Sequence, residues 1–261
     1  MAQSVTQFIK EFDQPDGGVL PVDLFDSFYV DMRDNYFIKH DRVDPAIMGV
    51  GVDYMSRWLM SADFEGAFIT PLSGAHIISE LSGDNYHIER AAELSDIIKY
   101  TRNKQARYES VLRLCAYDQI ARGGGVLVNI DEVNPEDTDI AVMERLVKRV
   151  LKFLDKFGPI VLDGFNFDGG YTDTITHGEG DFLTDNTLWD MKTIRRDIGP
   201  YHTLQLLMYW RMGLRSQHRE LFRGIQFLGI YNPRSNKIHR CPTSNIPQDA
   251  IDLTDFELIG Y

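Results

Sequence analysis

In the stretch Gly178–Thr193, GEGDFLTDNTLWDMKT, Asp181, Asp190 and Lys192 stand at spacings that could support metal-assisted chemistry. Asp185-Asn186 suits a two-residue turn, because both residue types tolerate positive φ. That turn pairs Thr184 with Thr187, and counting outward puts Asp181 opposite Asp190. Such a non-hydrogen-bonded pair would hold the two Cα atoms about 4.5 Å apart, with both side chains on one face. Two facing carboxylates repel unless a cation lies between them. Lys192, two residues past Asp190, projects from the same face, while Phe182, Trp189 and Met191 turn to the other. Hard oxygen donors suit Mg²⁺ or Mn²⁺. The metal could orient a water and polarise a phosphate, and the ammonium could stabilise developing charge. The same three residues also fit a plain surface salt bridge on a hairpin. Glu179 falls opposite Lys192 in this register and could pair with it, and His177 could reach the rim.

The surrounding elements read as follows. Asp139–Phe157 is an amphipathic helix, with Val142, Leu146, Val150, Phe153 and Leu154 on one side. Ile160–Asp168 is strand-like, and Gly169-Gly170 is expected to turn it into a returning strand that runs from Tyr171 to Thr184. Thr187–Thr193 follows as the third strand. Pro200 opens a helix to Gly213, Ile225–Tyr231 is another strand, and Lys237–Arg240 is a candidate partner for it. Helix, three antiparallel strands, helix and strand make an α/β unit with a mixed sheet. Upstream the chain reads as mainly helical. Helices are expected at Pro45–Ala62, Ile88–Arg102 and Arg107–Arg122, the last stopped by Gly123-Gly124-Gly125, with a short strand over 126–130. The expected division is a helical region over 1–135, packed on a core over 136–261.

In this order the motifs resemble the PD-(D/E)XK nuclease superfamily, in its RecB-like branch that includes CRISPR-associated exonucleases. Gly178-Glu-Gly-Asp181, Asp190-Met-Lys192 and Gln205-Leu-Leu-Met-Tyr209 stand on the matching strand, strand and helix. The resemblance spans roughly residues 139–240. It implies that Asp181 and Asp190 hold the metal and that Lys192 is catalytic. It also implies that Gln205 and Tyr209 support the site and touch the nucleic-acid backbone, sharing a helix face with His202. The branch often has a glutamate on the preceding helix, and Glu144 is the candidate third ligand, although beside Arg145 and Lys148 it also fits a solvated ion pair. Asp190 stands where many members have the longer glutamate.

Composition bounds the alternatives. At 261 residues, 43% apolar and 25% charged, the chain suits a folded soluble protein, and no apolar run reaches the roughly 18 residues of a membrane span. The start MAQSVTQFIKEFDQ does not follow the pattern of a secretion signal, so a cytoplasmic protein with no membrane partner is expected. Two distant cysteines, Cys115 and Cys241, read as reduced thiols and cannot make a four-cysteine iron–sulfur cluster. No Gly-x-Ser-x-Gly elbow and no phosphate-binding loop occurs. Net charge is −12, concentrated in the first half, yet residues 195–240 carry nine Lys/Arg against two Asp/Glu. That segment, led by Arg195 and Arg196, is expected to lie along a nucleic acid, taken as DNA. The acidic first half would face away or meet a protein partner. The expectation is a Mg²⁺-dependent deoxyribonuclease. Its alternative is an inactive nuclease-fold subunit that binds or regulates within a DNA-processing or defence complex.

Overall fold

A computed structural model describes residues 3–123 and 130–261. In chain order, the elements begin with β1 (Gln3–Ser4), α1 (Val5–Glu11) and β2 (Asp26–Tyr29). Six helices follow: α2 (Pro45–Ser61), α3 (Phe64–Ala67), α4 (Ile69–Ser82), α5 (Tyr86–Tyr100), α6 (Lys104–Cys115) and α7 (Asp118–Ala121). The long α8 (Asp137–Phe157) leads to β3 (Leu162–Asn166), β4 (Ile175–His177), β5 (Glu179–Leu183) and β6 (Thr187–Met191). Then come α9 (Pro200–Gly213), α10 (Arg219–Arg223), β7 (Phe227–Asn232), β8 (Lys237–Pro242) and α11 (Gln248–Asp252). No helix among the described residues is long and apolar enough to cross a membrane.

The chain forms two compact units. One comprises residues 38–152 and is helical. Asp44 caps α2 by accepting from the Ala46 and Ile47 N–H groups, and Pro45 occupies the first turn, where its missing N–H costs nothing. Within it, the expected single helix over 107–122 is broken at Ala116–Tyr117 into α6 and α7, and Gly123 follows at φ +74°. Helices α1, α3 and α4 were not expected from the sequence. The expected strand over 126–130 falls outside the described residues, apart from Ile130, which opens a 3-10 turn.

The other unit comprises residues 1–37 and 153–261. This differs from a division at 135/136. Residues 1–37 join the sheet unit because β2 pairs antiparallel with β8, β1 pairs with β4, and the Thr203 hydroxyl of α9 donates to the Leu20 carbonyl at 2.6 Å. Helix α8 starts in one unit and ends in the other. The sheet order is β2-β8-β7-β6-β5-β3, with β6 and β7 parallel and every other pair antiparallel. Both faces are covered. Leu183, Leu188, Leu228 and Ile230 belong to a core with Leu204, Leu207 and Met208 of α9. On the opposite face Phe153 stacks on Tyr231 at 4.2 Å and meets Trp189 edge-on at 4.8 Å. Gly229, opposite Trp189 in the ladder, leaves room for the indole, since a Cβ there would come within 2.4 Å of the ring.

Gly169-Gly170 does not form a two-residue hairpin. β3 pairs with β5 from Asn166↔Glu179 to Leu162↔Leu183, so the connection is the longer segment that contains β4. Gly169 does take positive φ (+88°), but the loop is held from outside: the Gln217 N–H donates to the Asp168 carbonyl, and the Tyr261 hydroxyl to the Gly170 carbonyl. A glycine pair signals the backbone conformation without saying which strands it joins.

The β2–β8 edge predicts an acid-sensitive contact. His239 is buried and lies 2.7 Å from the Ser27 hydroxyl through Nδ1. Burial, with Lys237 next and Asp197 opposing, pushes its pKa down to about 4. The folded state thus favours the neutral ring. This contribution is complete above the unfolded value near 6.5 and is lost as pH falls from there toward about 4, on the order of 3 kcal/mol at most. His239→Asn should flatten the decline in melting temperature between pH 7 and pH 4.5. Parallel curves for the two proteins would discard this assignment.

Candidate functional site

The hairpin has the register that its turn chemistry predicts. Phe182 pairs with Trp189 and Leu183 with Leu188, and the Thr184 N–H donates to the Thr187 carbonyl at 3.0 Å. Asp185-Asn186 is therefore the turn. Leu188 and Asp190 look toward α9, whereas Trp189 looks the other way and anchors β6 by donating from Nε1 to Thr184 Oγ1 at 3.0 Å.

Beyond the 182/189 pair, side chains replace the ladder. The Met191 N–H donates to Asp181 Oδ2 at 2.6 Å, a short charge-assisted bond. On the other side of β6, the Lys192 N–H donates to the Tyr231 carbonyl at 2.9 Å. The Lys192 ammonium lies 2.8 Å from Asp190 Oδ1. Burial opposes its charge, but Asp190 and Asp181 outweigh burial, so its pKa is raised. Lys192 is paired with Asp190, and the Asp181 charge adds to what favours its ammonium form.

Asp190 is 2% exposed, and among the described residues its Oδ2 has no hydrogen-bond partner. A buried carboxylate oxygen without a donor is costly, and native structures rarely leave one so. Gln205 contributes a second case. Its Nε2 donates to the Tyr209 hydroxyl at 2.9 Å, while its buried Oε1 has no partner among the described residues. Tyr209 is buried, and burial raises its pKa; Lys192 opposes this, and Asp190 and Asp181 add to it, so the phenol stays protonated near the same charges. A Cβ at Gly178 would press on Val5 at 3.2 Å and only touch the Tyr209 ring, at 3.4 Å. Asp181, Asp190, Lys192, Gln205 and Tyr209 thus come together.

These donors fit a hard divalent cation. Asp190 Oδ2 is an anionic oxygen with an unused coordination direction, and Asp181 supplies a second carboxylate from the facing strand. The set is small: among the described residues no point gathers three or more His, Cys, Asp or Glu side chains. Glu144 belongs to the other unit and is engaged there, with Lys104 at 2.7 Å and Lys148 at 2.6 Å. Hydrogen bonds from these two ammonium groups hold its carboxyl below the usual range. This matches its ion-pair reading. His177 and Glu179 lie 3.8 Å apart at the exposed end of the hairpin.

The basic run does not form one surface. Arg211 and Arg215 both grip Asp255, at 2.7 and 3.0 Å. Arg234 is fully buried and donates to the Thr193 carbonyl. Arg240 lies over the Phe227 ring and donates to Thr187 Oγ1 at 3.0 Å. Arg219 and Arg223 share Glu220. Arg195 and Arg196 are exposed just past the site. Sequence reasoning missed the Asp181–Met191 bond and the N-terminal cover of α9, where the Tyr201 hydroxyl donates to the Thr6 carbonyl at 3.2 Å. Neither leaves a signal in local spacing. Compared with models of protein families, with curated proteins and with solved structures, the chain matches none.

Proposed function

We propose that the protein is a metal-dependent phosphodiesterase that hydrolyses DNA at the site formed by β5, β6 and α9. The observation that carries this reading is the buried, unpartnered Oδ2 of Asp190, beside a charged lysine and facing Asp181's strand. Asp181 and Asp190 would hold Mg²⁺ or Mn²⁺, which supplies Lewis acidity toward a phosphate and an acidified water. Asp190 and Asp181, against the cost of burial, favour the charged form of Lys192. Its ammonium would meet a phosphate oxygen and stabilise charge that grows as the phosphorus–oxygen bond breaks. Gln205 would hold the Tyr209 phenol in place. Arg195 and Arg196 would attract the backbone as it approaches, a contact weakened by salt. Glu144 is left out of the ligand set, because Lys104 and Lys148 already satisfy its carboxylate.

The internal use of Arg211, Arg215, Arg234 and Arg240 favours a second reading, a nuclease-fold subunit that binds metal without cleaving. Two measurements separate the readings. Mn²⁺ should raise the melting temperature of the wild type and not that of Asp190→Ala; no shift in either protein would remove the metal site. Incubation with plasmid, linear duplex, single-stranded DNA and RNA, with and without Mn²⁺, should give metal-dependent DNA breaks. A melting shift without breaks would favour the binding subunit.

A further inference from the structure

We propose that His202 is a neutral hydrogen-bond donor to the substrate phosphate, with its proton locked on Nε2 by the turn that opens α9. This rests on the phosphodiesterase reading above. The Gly199 N–H donates to His202 Nδ1 at 2.9 Å. A ring nitrogen that accepts a hydrogen bond carries no proton, so a neutral imidazole here must be protonated at Nε2. The backbone thereby selects the tautomer.

Position supplies the second part of the argument. His202, Gln205 and Tyr209 lie at i, i+3 and i+7 on α9, one stripe of the helix. Gln205 and Tyr209 are hydrogen-bonded to each other beside Lys192 and Asp190. His202 is 6% exposed, and Nε2 makes no hydrogen bond among the described residues. Its charged surroundings are Lys192, Asp190 and Arg196. Burial first, then Lys192, lowers its pKa, while Asp190 opposes, so the ring stays neutral. An uncharged donor beside a fixed ammonium is suited to a second oxygen of one phosphate group. It cannot act as a general base, because Nδ1 is engaged and Nε2 already holds its proton.

The two ring nitrogens have separable duties, and two substitutions separate them. In His202→Asn the amide oxygen can replace Nδ1 and keep the Gly199 contact, but nothing reaches the place of Nε2. In His202→Gln the longer amide can place an N–H there and loses the Gly199 contact. His202→Asn should melt within about 2 °C of wild type and cleave DNA about 10- to 100-fold more slowly with Mn²⁺. His202→Gln should melt lower and, assayed below its transition, keep cleavage within about threefold of wild type. A wild-type rate in His202→Asn, or an equal loss in both variants, overturns the proposal. Imidazole ¹⁵N shifts of the wild type read the tautomer without any assay of activity. A bare Nδ1 and a protonated Nε2 are expected, and a protonated Nδ1 overturns the proposal whatever the rates. An inactive wild type would reject the phosphodiesterase reading and this inference with it. An active wild type with an unaffected His202→Asn would reject this inference alone.

Discussion

Lys192→Ala is expected to slow Mn²⁺-dependent DNA cleavage about a thousandfold, the scale of removing one preorganised group from a developing charge. The ammonium is already in place before substrate arrives, 2.8 Å from Asp190 Oδ1, and so needs no reorganisation during the reaction. The loss should fall on the rate of the chemical step more than on DNA binding, which draws on the exposed Arg195 and Arg196 as well. Lys192→Arg should not restore the rate, because a planar guanidinium cannot take the position of a compact ammonium. Asp190→Asn should cost at least as much and also move the Mn²⁺ titration to higher concentration. The double variant should be little worse than either single one, since the residues act on one charge. Lys192→Ala also leaves both Asp190 oxygens buried without a donor. Its melting temperature should fall in chelator and recover in part with Mn²⁺. Equal cleavage by wild type and Lys192→Ala would refute the mechanism.

The second large effect is on stability. Phe153→Ala should cost roughly 3–5 kcal/mol, the usual cost of emptying an aromatic site in a packed core. Phe153 is fully buried, stacked on Tyr231 with planes 8° apart, edge-on to Trp189 and close to Phe182. It therefore links β5, β6 and β7 from the face opposite the candidate site. A melting temperature lower by about 10 °C is the expected readout. Phe153→Leu should lose much less, because it refills most of the volume. Phe256, 62% exposed, serves as the control, and its alanine variant should melt like wild type. If Phe153→Ala and Phe256→Ala melt alike, the aromatic cluster does not hold the sheet as described. Cleavage by Phe153→Ala, measured well below its transition, should fall far less than in Lys192→Ala, since no group at the site is removed.

What could be read from the sequence was whatever local chemistry controls. Asp185-Asn186 sets a turn, the turn sets the 182/189 and 183/188 pairs, and those pairs turn Trp189 away from α9. Asp44-Pro45 and Gly123 mark helix ends by capping and positive φ, and Pro200 opens α9 where expected. Each of these acts within a few residues. Tertiary structure decided the rest. The four-residue β2 becomes a strand only because β8 offers it an edge. Asp181 gains the Met191 N–H because the two strands are no longer paired backbone to backbone there. The basic run looked like one surface when counted along the chain, yet Asp255, some 40 residues downstream, takes two of its arginines. The turn at 185–186 thus determined the register of β5 and β6. Contacts between residues far apart in sequence decided which of their carboxylate oxygens were left without a partner, because hydrogen bonds and ion pairs depend on what arrives in space and leave no period in the chain.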